Sequence, residues 1–150
     1  MSRIAYVNGQ YVRHAAASVH IEDRGYQFAD GVYEVCEVRE GFIVDLTRHL
    51  DRLERSLCEL QIAWPLARNS LIRVIRETVR RNRVTDGMFY MQVTRGVAKR
   101  DHVFPSISVR SSLVVTAKSI DRMAGNARAD KGISVITVAE NRWDRVDIKT

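Results

Sequence analysis

The sequence predicts an α+β fold in which an antiparallel sheet packs against two helices. Two glycine-containing turn signals lie between apolar segments and indicate β-hairpins. Two further segments repeat apolar residues at helical spacing. Later segments are apolar and rich in β-branched residues, which favours additional strands. A length of 150 residues is enough for one domain with a sizeable core.

The strands are predicted from local patterns. Asn8-Gly9, between IAYV and QYV, predicts the first hairpin because both turn positions favour positive φ. Glu40-Gly41, between VYEVCEV and FIVDL, predicts the second. The almost continuously apolar residues 88–94 predict a strand that is buried on both faces. Residues 113–117 and 133–139 predict two more strands of the same kind.

Two helices are predicted between these strands. In the first, leucines recur at intervals of three and four residues, and Asp45 is expected to cap it: the stripe is Leu46, Leu50, Leu53, Leu57 and Leu60. Trp64-Pro65 ends this helix. The second helix is expected over residues 69–83, with an inward-facing set of Leu71, Ile72, Ile75 and Val79.

A domain boundary is predicted near residue 120. Residues 118–132 are polar and contain a Gly-Asn pair, so they are the best candidate for a linker. The one predicted strand that follows is too short to bury a core of its own. We therefore expect an N-terminal α+β domain over residues 1–120, and over 121–150 a linker with the start of a second domain.

Composition narrows the functional classes. Hydrophobic residues make up 45% and charged residues 28%, as in globular proteins and unlike disordered or membrane chains. No apolar run approaches the ~20 residues of a spanning helix, and the N-terminus lacks a signal-peptide pattern. Cys36 and Cys58 lie in apolar segments without metal-ligand spacing, so they are expected to be buried, reduced thiols of a cytoplasmic protein.

The net charge of +6 raises the alternative of a basic nucleic-acid-binding module. Much of this charge falls at helical spacing in the second predicted helix, on Arg73, Arg76, Arg80 and Arg83. A solvated helix face explains the stripe more simply. The segment also lacks interleaved aromatic residues that could stack on bases. We therefore expect neither a nucleic-acid partner nor a membrane partner.

Five polar residues are candidates for a functional site. Each has an ordinary structural explanation, but their order in the chain forms a recognisable series of motifs. Tyr33 lies in FADGVYEV, and Arg52 lies in HLDRL on the first predicted helix. Arg100 and His102 lie in TRGVAKRDH, a loop that follows a buried strand, and binding sites are often built on such loops. Lys149 lies in NRWDRVDIK. Taken singly, each is typical of a sheet tyrosine or of a solvated charge.

Taken together, these motifs resemble one family. DGVYEV, HLDRL, TRG followed by R-x-H, and DIK are similar, in order and spacing, to motifs of the fold-type IV pyridoxal-phosphate aminotransferases. The D-amino-acid branch fits best. The resemblance covers essentially the whole chain but about half of a family-length protein. It implies the N-terminal domain of that fold, an antiparallel sheet with two helices, plus the first strands of a truncated C-terminal β-barrel-like domain.

The resemblance implies a covalent role for Lys149 and a phosphate-binding role for Arg52. Lys149 matches the lysine that forms the internal aldimine with pyridoxal 5′-phosphate. A lysine amine can be neutral at working pH when burial or a neighbouring cation lowers its pKa, and it can then carry a proton to and from the substrate. Arg52 matches an arginine whose planar fork of donors suits a phosphate dianion.

The resemblance also implies a binding site for the substrate carboxylate. Tyr33, Arg100 and His102 match the residues that hold the α-carboxylate, and Val35 matches an apolar pocket position. In the family the arginine and histidine come from the neighbouring subunit, so a homodimer would complete the site. Glu37 falls where some relatives carry a basic residue, which leaves its role open.

The activity implied is ping-pong transamination between a D-amino acid such as D-alanine and a 2-oxo acid such as 2-oxoglutarate. A branched-chain amino-acid aminotransferase or an aminodeoxychorismate lyase of the same fold remains the nearer alternative. Branched-chain relatives usually read FEGIR where this chain reads ADGVY. The family places the carboxylate that pairs with the pyridine nitrogen downstream of the lysine. We therefore expect these 150 residues alone to be an incomplete enzyme.

Overall fold

The fold is a six-stranded antiparallel sheet with two of its helices packed on one face. The computed structural model describes residues 3–105 and 109–140. The strand order is β2-β1-β6-β5-β3-β4, and every pairing is antiparallel. The strands are β1 (Ile4–Val7), β2 (Gln10–Arg13), β3 (Gly31–Arg39), β4 (Phe42–Ile43), β5 (Gly87–Thr94) and β6 (Ser112–Ser119). The helices are α1 (Arg24–Phe28), α2 (Leu46–Glu59), α3 (Arg68–Arg81) and α4 (Arg122–Lys131).

Both predicted hairpins are confirmed. β1 and β2 meet at Asn8 and Gly9, whose φ values are 46° and 106°. β3 and β4 meet at Glu40 and Gly41, with φ values of 51° and 81°. The positive φ at both positions is what a tight two-residue hairpin needs, because it matches the twist of the flanking strands. The turn residues therefore determine where each strand reverses.

The two predicted helices are also confirmed, as α2 and α3. The stripe leucines Leu50, Leu53 and Leu57 are each about 1% exposed and pack on the sheet. The predicted cap at Asp45 is wrong, because its backbone is left-handed and its side chain makes no cap hydrogen bond. A capping side chain needs an extended backbone to reach the first amides of the helix. Leu60 lies past the end of α2 and is 45% exposed.

The prediction that both cysteines are buried is half right. Cys36 points from β3 into the core, and burial, with a smaller contribution from Glu34, raises its pKa to about 12. Cys58 is exposed. It follows the buried Leu57 on α2, and one residue along a helix turns the side chain about 100° away from the apolar stripe.

The prediction that residues 88–94 are buried on both faces is wrong. In β5, the side chains of Phe89, Met91 and Val93 are fully buried against the helices. The alternating positions Met88, Tyr90 and Gln92 are only partly buried. Since α2 and α3 cover one face of the sheet, Met88 and Tyr90 lie on the opposite face, which these helices do not cover.

The predicted strand at residues 133–139 is not present, and residues 132–140 have no regular secondary structure. Its apolar side chains are 77–86% exposed: Ile133, Val135, Ile136 and Val138. A strand forms by pairing with a neighbour, and no described strand lies beside this segment. Residues 118–132, predicted to be a linker, contain the end of β6 and the exposed helix α4.

The basic stripe lies on the solvent side of α3, as the simpler explanation predicts. Arg73, Arg76 and Arg80 are exposed. Arg80 and Arg81 both pair with Glu77 at 2.7 Å.

Within residues 3–105 and 109–140, no helix has the length and apolarity needed to cross a bilayer. The same residues contain no cluster of acidic, histidine and cysteine side chains suited to a metal ion.

Candidate active site

Strand β3 presents two different faces. Tyr33 is 66% exposed and Val35 is 36% exposed, and both point to the face of the sheet opposite the helices. The Tyr33 ring stacks on Tyr90 of β5, with ring centroids 5.8 Å apart. Burial raises the pKa of Tyr90, and Tyr33 adds to that shift. The two candidate substrate residues of β3 therefore share one open, partly aromatic surface.

The residue between them, Glu34, points into the protein and binds Arg52. Its side chain is 2% exposed. Arg52 donates from Nε to Oε1 at 2.7 Å and from Nη2 to Oε2 at 2.6 Å. His49, one helical turn before Arg52, lies with Nδ1 2.7 Å from Oε2. This two-pronged ion pair fixes the guanidinium on α2 relative to β3.

The charges in this cluster shift each other's pKa. Burial acts to raise the pKa of Glu34, but hydrogen bonds from Arg52 and His49 outweigh it, so the pKa is lowered. Hydrogen bonding to Glu34 raises the pKa of Arg52, and Tyr33 makes a smaller contribution in the same direction. Arg52 and Glu34 therefore stabilise each other's charged form, although they extend from different elements.

The Arg52 side chain remains 57% exposed despite this ion pair. It borders a shallow cavity of about 160 Å³ that is lined by Asp45, Arg48, His49 and Arg52. Nη1 makes no hydrogen bond within the described part of the chain, so its two N–H groups are free to donate. This arrangement can bind an anion while the rest of the guanidinium stays anchored.

Glu34 and His49 were not identified from the sequence, although a signal for them exists. In VYEVCEV, the alternation places Glu34 on the same face as the buried residues Cys36 and Val38. A carboxylate at an inward position needs a buried partner. The His-x-x-Arg spacing of His49 and Arg52 supplies two candidates on adjacent turns of one helix face.

Replacing Glu34 with glutamine should lower the free energy of unfolding by about 1–3 kcal/mol at neutral pH, because a charge-assisted, buried hydrogen-bond pair is lost. The folded pKa lies below the ordinary value of 4.5. The wild-type contribution is therefore fully present above that value and is lost as the pH falls through the folded pKa. Urea unfolding at neutral pH and in steps below pH 4.5 measures this difference.

Glu59→Gln is the matched control, because Glu59 is exposed at the end of α2. It should leave the pH dependence unchanged. A Glu34→Gln protein whose unfolding free energy follows the wild type at every pH would contradict the prediction.

Arg100 and His102 lie together on a loop after β5 and pack on α1. The Arg100 guanidinium carbon is 5.2 Å from the centre of the Phe28 ring. The His102 ring is 5.5 Å from the same ring and tilted by 58°. Both side chains are otherwise exposed. A cavity of about 440 Å³ opens along this loop, lined by Val97, Ala98, Lys99, Arg100, Asp101, Val103, Phe104, Pro105 and Val109.

A buried charge cluster connects this loop to β3. Asp30, just before β3, accepts hydrogen bonds from Arg24 Nε at 2.8 Å and from Arg95 Nε at 2.7 Å. Burial acts to raise the pKa of Asp30, but the hydrogen bonds from Arg95 and Arg24 outweigh it and lower the pKa. Arg95 also donates to the carbonyl oxygens of Leu60 and Gln61. The end of α2, the start of β3 and the loop are thereby held together.

The candidate residues thus fall into two groups. In the first group, Tyr33 and Val35 lie on the open face of β3, and Arg52 binds Glu34, the residue between them. Arg100 and His102 cluster on Phe28, and no hydrogen bond or ring contact among the described residues joins them to the first group. The sixth residue of the predicted site, Lys149, lies outside the described residues.

Comparison with known proteins identifies relatives among the amino-transferases. The family model for class IV amino-transferases matches residues 31–150. The D-alanine aminotransferase of Staphylococcus haemolyticus is 39% identical over 145 residues, which are 97% of this chain and 51% of that protein. The D-alanine aminotransferase of Bacillus licheniformis is 37% identical over 143 residues, 95% of this chain and 50% of that protein. The chain spans about half the length of the curated relatives it matches.

Solved structures show the same fold. The Escherichia coli branched-chain amino acid aminotransferase matches with a TM-score of 0.73 at 17% identity, covering 80% of this chain and 42% of that one. The T.th. branched-chain amino acid aminotransferase with pyridoxamine 5′-phosphate matches with a TM-score of 0.72 at 23% identity, covering 81% and 41%. The predicted fold class, the N-terminal part of a fold-type IV aminotransferase, is confirmed.

Proposed function

Because the chain belongs to the class IV aminotransferase family, we propose that the complete protein is a pyridoxal-phosphate-dependent D-amino-acid aminotransferase. It transfers the amino group of a D-amino acid such as D-alanine to a 2-oxo acid such as 2-oxoglutarate in a ping-pong cycle. Support comes from 35–39% identity, over nearly the whole chain, to proteins named D-alanine aminotransferase. The geometric observation that carries the proposal is Arg52, whose guanidinium is anchored by Glu34 and still borders an open cavity.

The residues around Arg52 fit the phosphate of the cofactor. A phosphate needs exposed donors held in place, and Arg52 offers the two N–H groups of Nη1 while Glu34 holds Nε and Nη2. Arg48 and His49 line the same cavity and add donors. Without the ion pair, a flexible arginine would lose more side-chain entropy on binding. Glu34 therefore preorganises Arg52.

When bound, pyridoxal phosphate supplies an aldehyde for the amino group and a ring that withdraws electrons from the substrate α-carbon. Lys149 is the residue we assign to the covalent attachment of the cofactor. Its freed amine is also the base that takes the proton from the α-carbon and later returns one. This role requires that the amine be neutral when it takes the proton.

The substrate carboxylate is assigned to Arg100, with Tyr33 and His102 as hydrogen-bond donors. Val35, on the same face of β3 as Tyr33, contributes an apolar wall beside the α-carbon. Because Arg100 and His102 lie apart from Tyr33 in one chain, we propose that a homodimer brings the partner's loop to the site. Apolar side chains exposed around that loop support an interface there: Ile21, Tyr26, Val103 and Phe104 are 67–75% exposed.

Replacing Arg100 with alanine should raise the KM for D-alanine about 10- to 100-fold, because a charge-assisted hydrogen-bond pair is worth about 1.5–3 kcal/mol. Cofactor affinity should change less than about threefold, as Arg100 does not contact the phosphate in this proposal. Steady-state kinetics and cofactor titration of the complete protein give both numbers. Arg73→Ala, on the solvent face of α3, is the control. Equal wild-type activity on amines that lack a carboxylate would refute the assignment.

The choice of amino donor tests the proposed function as a whole. The complete protein should transaminate D-alanine with 2-oxoglutarate much faster than it transaminates L-leucine. A preference for L-leucine would instead indicate a branched-chain aminotransferase. Pyruvate release from aminodeoxychorismate would indicate a lyase. The nucleic-acid alternative predicts steeply salt-dependent binding without bound cofactor, and the pairing of Arg80 and Arg81 with Glu77 weakens it.

We propose that the protein acts in the cytoplasm. Cys36 is a free thiol buried in the core, which is typical of proteins from reducing compartments.

A further inference from the structure

Arg24 is a buried cation whose contacts converge on the loop that carries Arg100 and His102. Its side chain is 4% exposed, so its charge must be paired. Nε donates to Asp30 Oδ2 at 2.8 Å. Nη1 donates to the carbonyl oxygen of Asp101 at 2.9 Å and lies 3.5 Å from that of Val103. One guanidinium thus connects the start of β3 to the backbone of the loop.

The two carbonyl groups that Arg24 contacts lie on either side of His102. Contacts on both sides of one residue fix the direction in which its side chain leaves the backbone. The Arg24 guanidinium carbon also lies over two rings, 4.8 Å from the centre of Phe28 on α1 and 5.7 Å from that of Phe104 on the loop. The contact with Phe104 adds a cation–π interaction to the hydrogen bonds that hold the loop.

Phe28 links Arg24 to the side chains of the candidate carboxylate site. The face of Phe28 contacts Arg24, and the same ring lies within 5.2 Å of the Arg100 guanidinium and 5.5 Å of the His102 ring. A ring that is held by Arg24 on α1 therefore serves as the platform on which both side chains rest. Arg24 itself lies beneath this surface and is shielded from solvent.

We propose that Arg24 is a positioning residue that acts through Phe28 and the loop backbone to set the affinity for the substrate carboxylate. The inference rests on the proposed function, because that function gives Arg100 and His102 their substrate. Arg24 does not contact the substrate. It determines where the two donors lie before substrate arrives, so less entropy is lost on binding. Its loss should weaken carboxylate binding more than it slows the chemical step.

Two variants of the complete protein distinguish the contribution of the Arg24 hydrogen bonds from that of the Phe28 ring. Arg24→Lys keeps a positive charge near Asp30, but an ammonium lacks the planar fork that reaches Asp30 and the loop carbonyls together. Phe28→Leu keeps the Arg24 hydrogen bonds and removes the ring under Arg100 and His102. Arg80→Lys is the matched control, because Arg80 is an exposed arginine with a single carboxylate partner, Glu77.

Three measurements are needed: hydrogen exchange of the loop and of β5, cofactor titration, and kinetics with D-alanine. Arg24→Lys should raise exchange over residues 97–105 about tenfold while β5 keeps its protection. Its KM should rise about tenfold, equivalent to about 1.4 kcal/mol, with kcat and cofactor affinity within about threefold of wild type. Phe28→Leu should raise the KM with a smaller change in loop exchange. Arg80→Lys should match the wild type.

A KM within about twofold of wild type in both variants would overturn the inference, provided that the wild type is active. Parallel losses of kcat, cofactor affinity and β5 protection would also overturn it, because they indicate a general structural role. The proposed function fails in a different way, with wild type and Arg80→Lys both unable to transaminate any amino acid. In that case the carboxylate role of Arg24 falls with it.

Discussion

Replacing Gly96 with alanine is expected to destabilise the protein by about 2–6 kcal/mol. Gly96 has a φ of 103°, a conformation that residues with a side chain rarely adopt. An added methyl group would overlap the carbonyl oxygen of Arg110 and would lie 3.2 Å from Val109 Cγ1. Backbone strain accounts for about 1–3 kcal/mol, and crowding against a neighbouring backbone adds about 1–3 kcal/mol.

The effect should extend to the loop, because Gly96 is one of its fixed points. Its carbonyl oxygen accepts a hydrogen bond from the Arg24 amide at 2.9 Å. Its own amide donates to Thr94 Oγ1 at 3.1 Å. A shift that relieves the overlap would break one of these bonds and move the residues that lead to Arg100. We therefore expect weaker carboxylate binding together with lower stability.

Urea unfolding compares this variant with Gly125→Ala. Gly125 lies in α4, and an added methyl group would meet no atom within 4 Å. Alanine in an exposed helix is favoured over glycine by about 1 kcal/mol, so this control should keep or raise stability. A Gly96→Ala protein within about 0.5 kcal/mol of wild type would show that the chain can relax around the added carbon.

Replacing Lys149 with alanine should abolish transamination by the complete protein and the absorbance of covalently attached cofactor. A positioned acid–base group contributes about 10²- to 10⁴-fold to a rate, and the loss of the attachment adds to this. The sequence contains four lysines. Lys99, Lys118 and Lys131 are all exposed.

Borohydride reduction followed by peptide mapping identifies the attachment site directly. The cofactor should be fixed to the peptide that contains Lys149, and Lys131→Ala should label as the wild type does. Attachment to a different lysine in the wild-type protein would show that the assignment is wrong, even if the protein proved to be an aminotransferase.

The elements that could be predicted from sequence are those with local signals. Asn8-Gly9 and Glu40-Gly41 reverse the chain by their own backbone preferences. The leucine stripe of α2 follows from helical geometry alone. The errors concern neighbours distant in sequence: β5 has an open face because α2 and α3 pack on one side, and residues 133–139 lack a described partner strand.

The same division applies to the candidate site. Tyr33, Arg52, Arg100 and His102 were identified by a resemblance between ordered motifs, without knowledge of their contacts. The residues that hold them were missed. Glu34 and Arg24 are buried charges, which are recognised by their partners, and Phe28 and His49 matter through contacts that the folded chain makes. Arg24 and the carbonyl groups it contacts are separated by about 80 residues. Only a folded chain shows that they meet.

Alternate positions of strand β3 should tolerate substitution to different degrees. Substitutions at Tyr33, Val35 and Glu37 alter exposed positions, so we expect them to cost little stability. Substitutions at Glu34 or Cys36 disturb a charge pair or the core. An insertion or deletion of one residue before Tyr33 would turn the exposed side chains inward and the buried side chains outward. Libraries that diversify specificity should therefore vary alternate positions of this strand and keep its length.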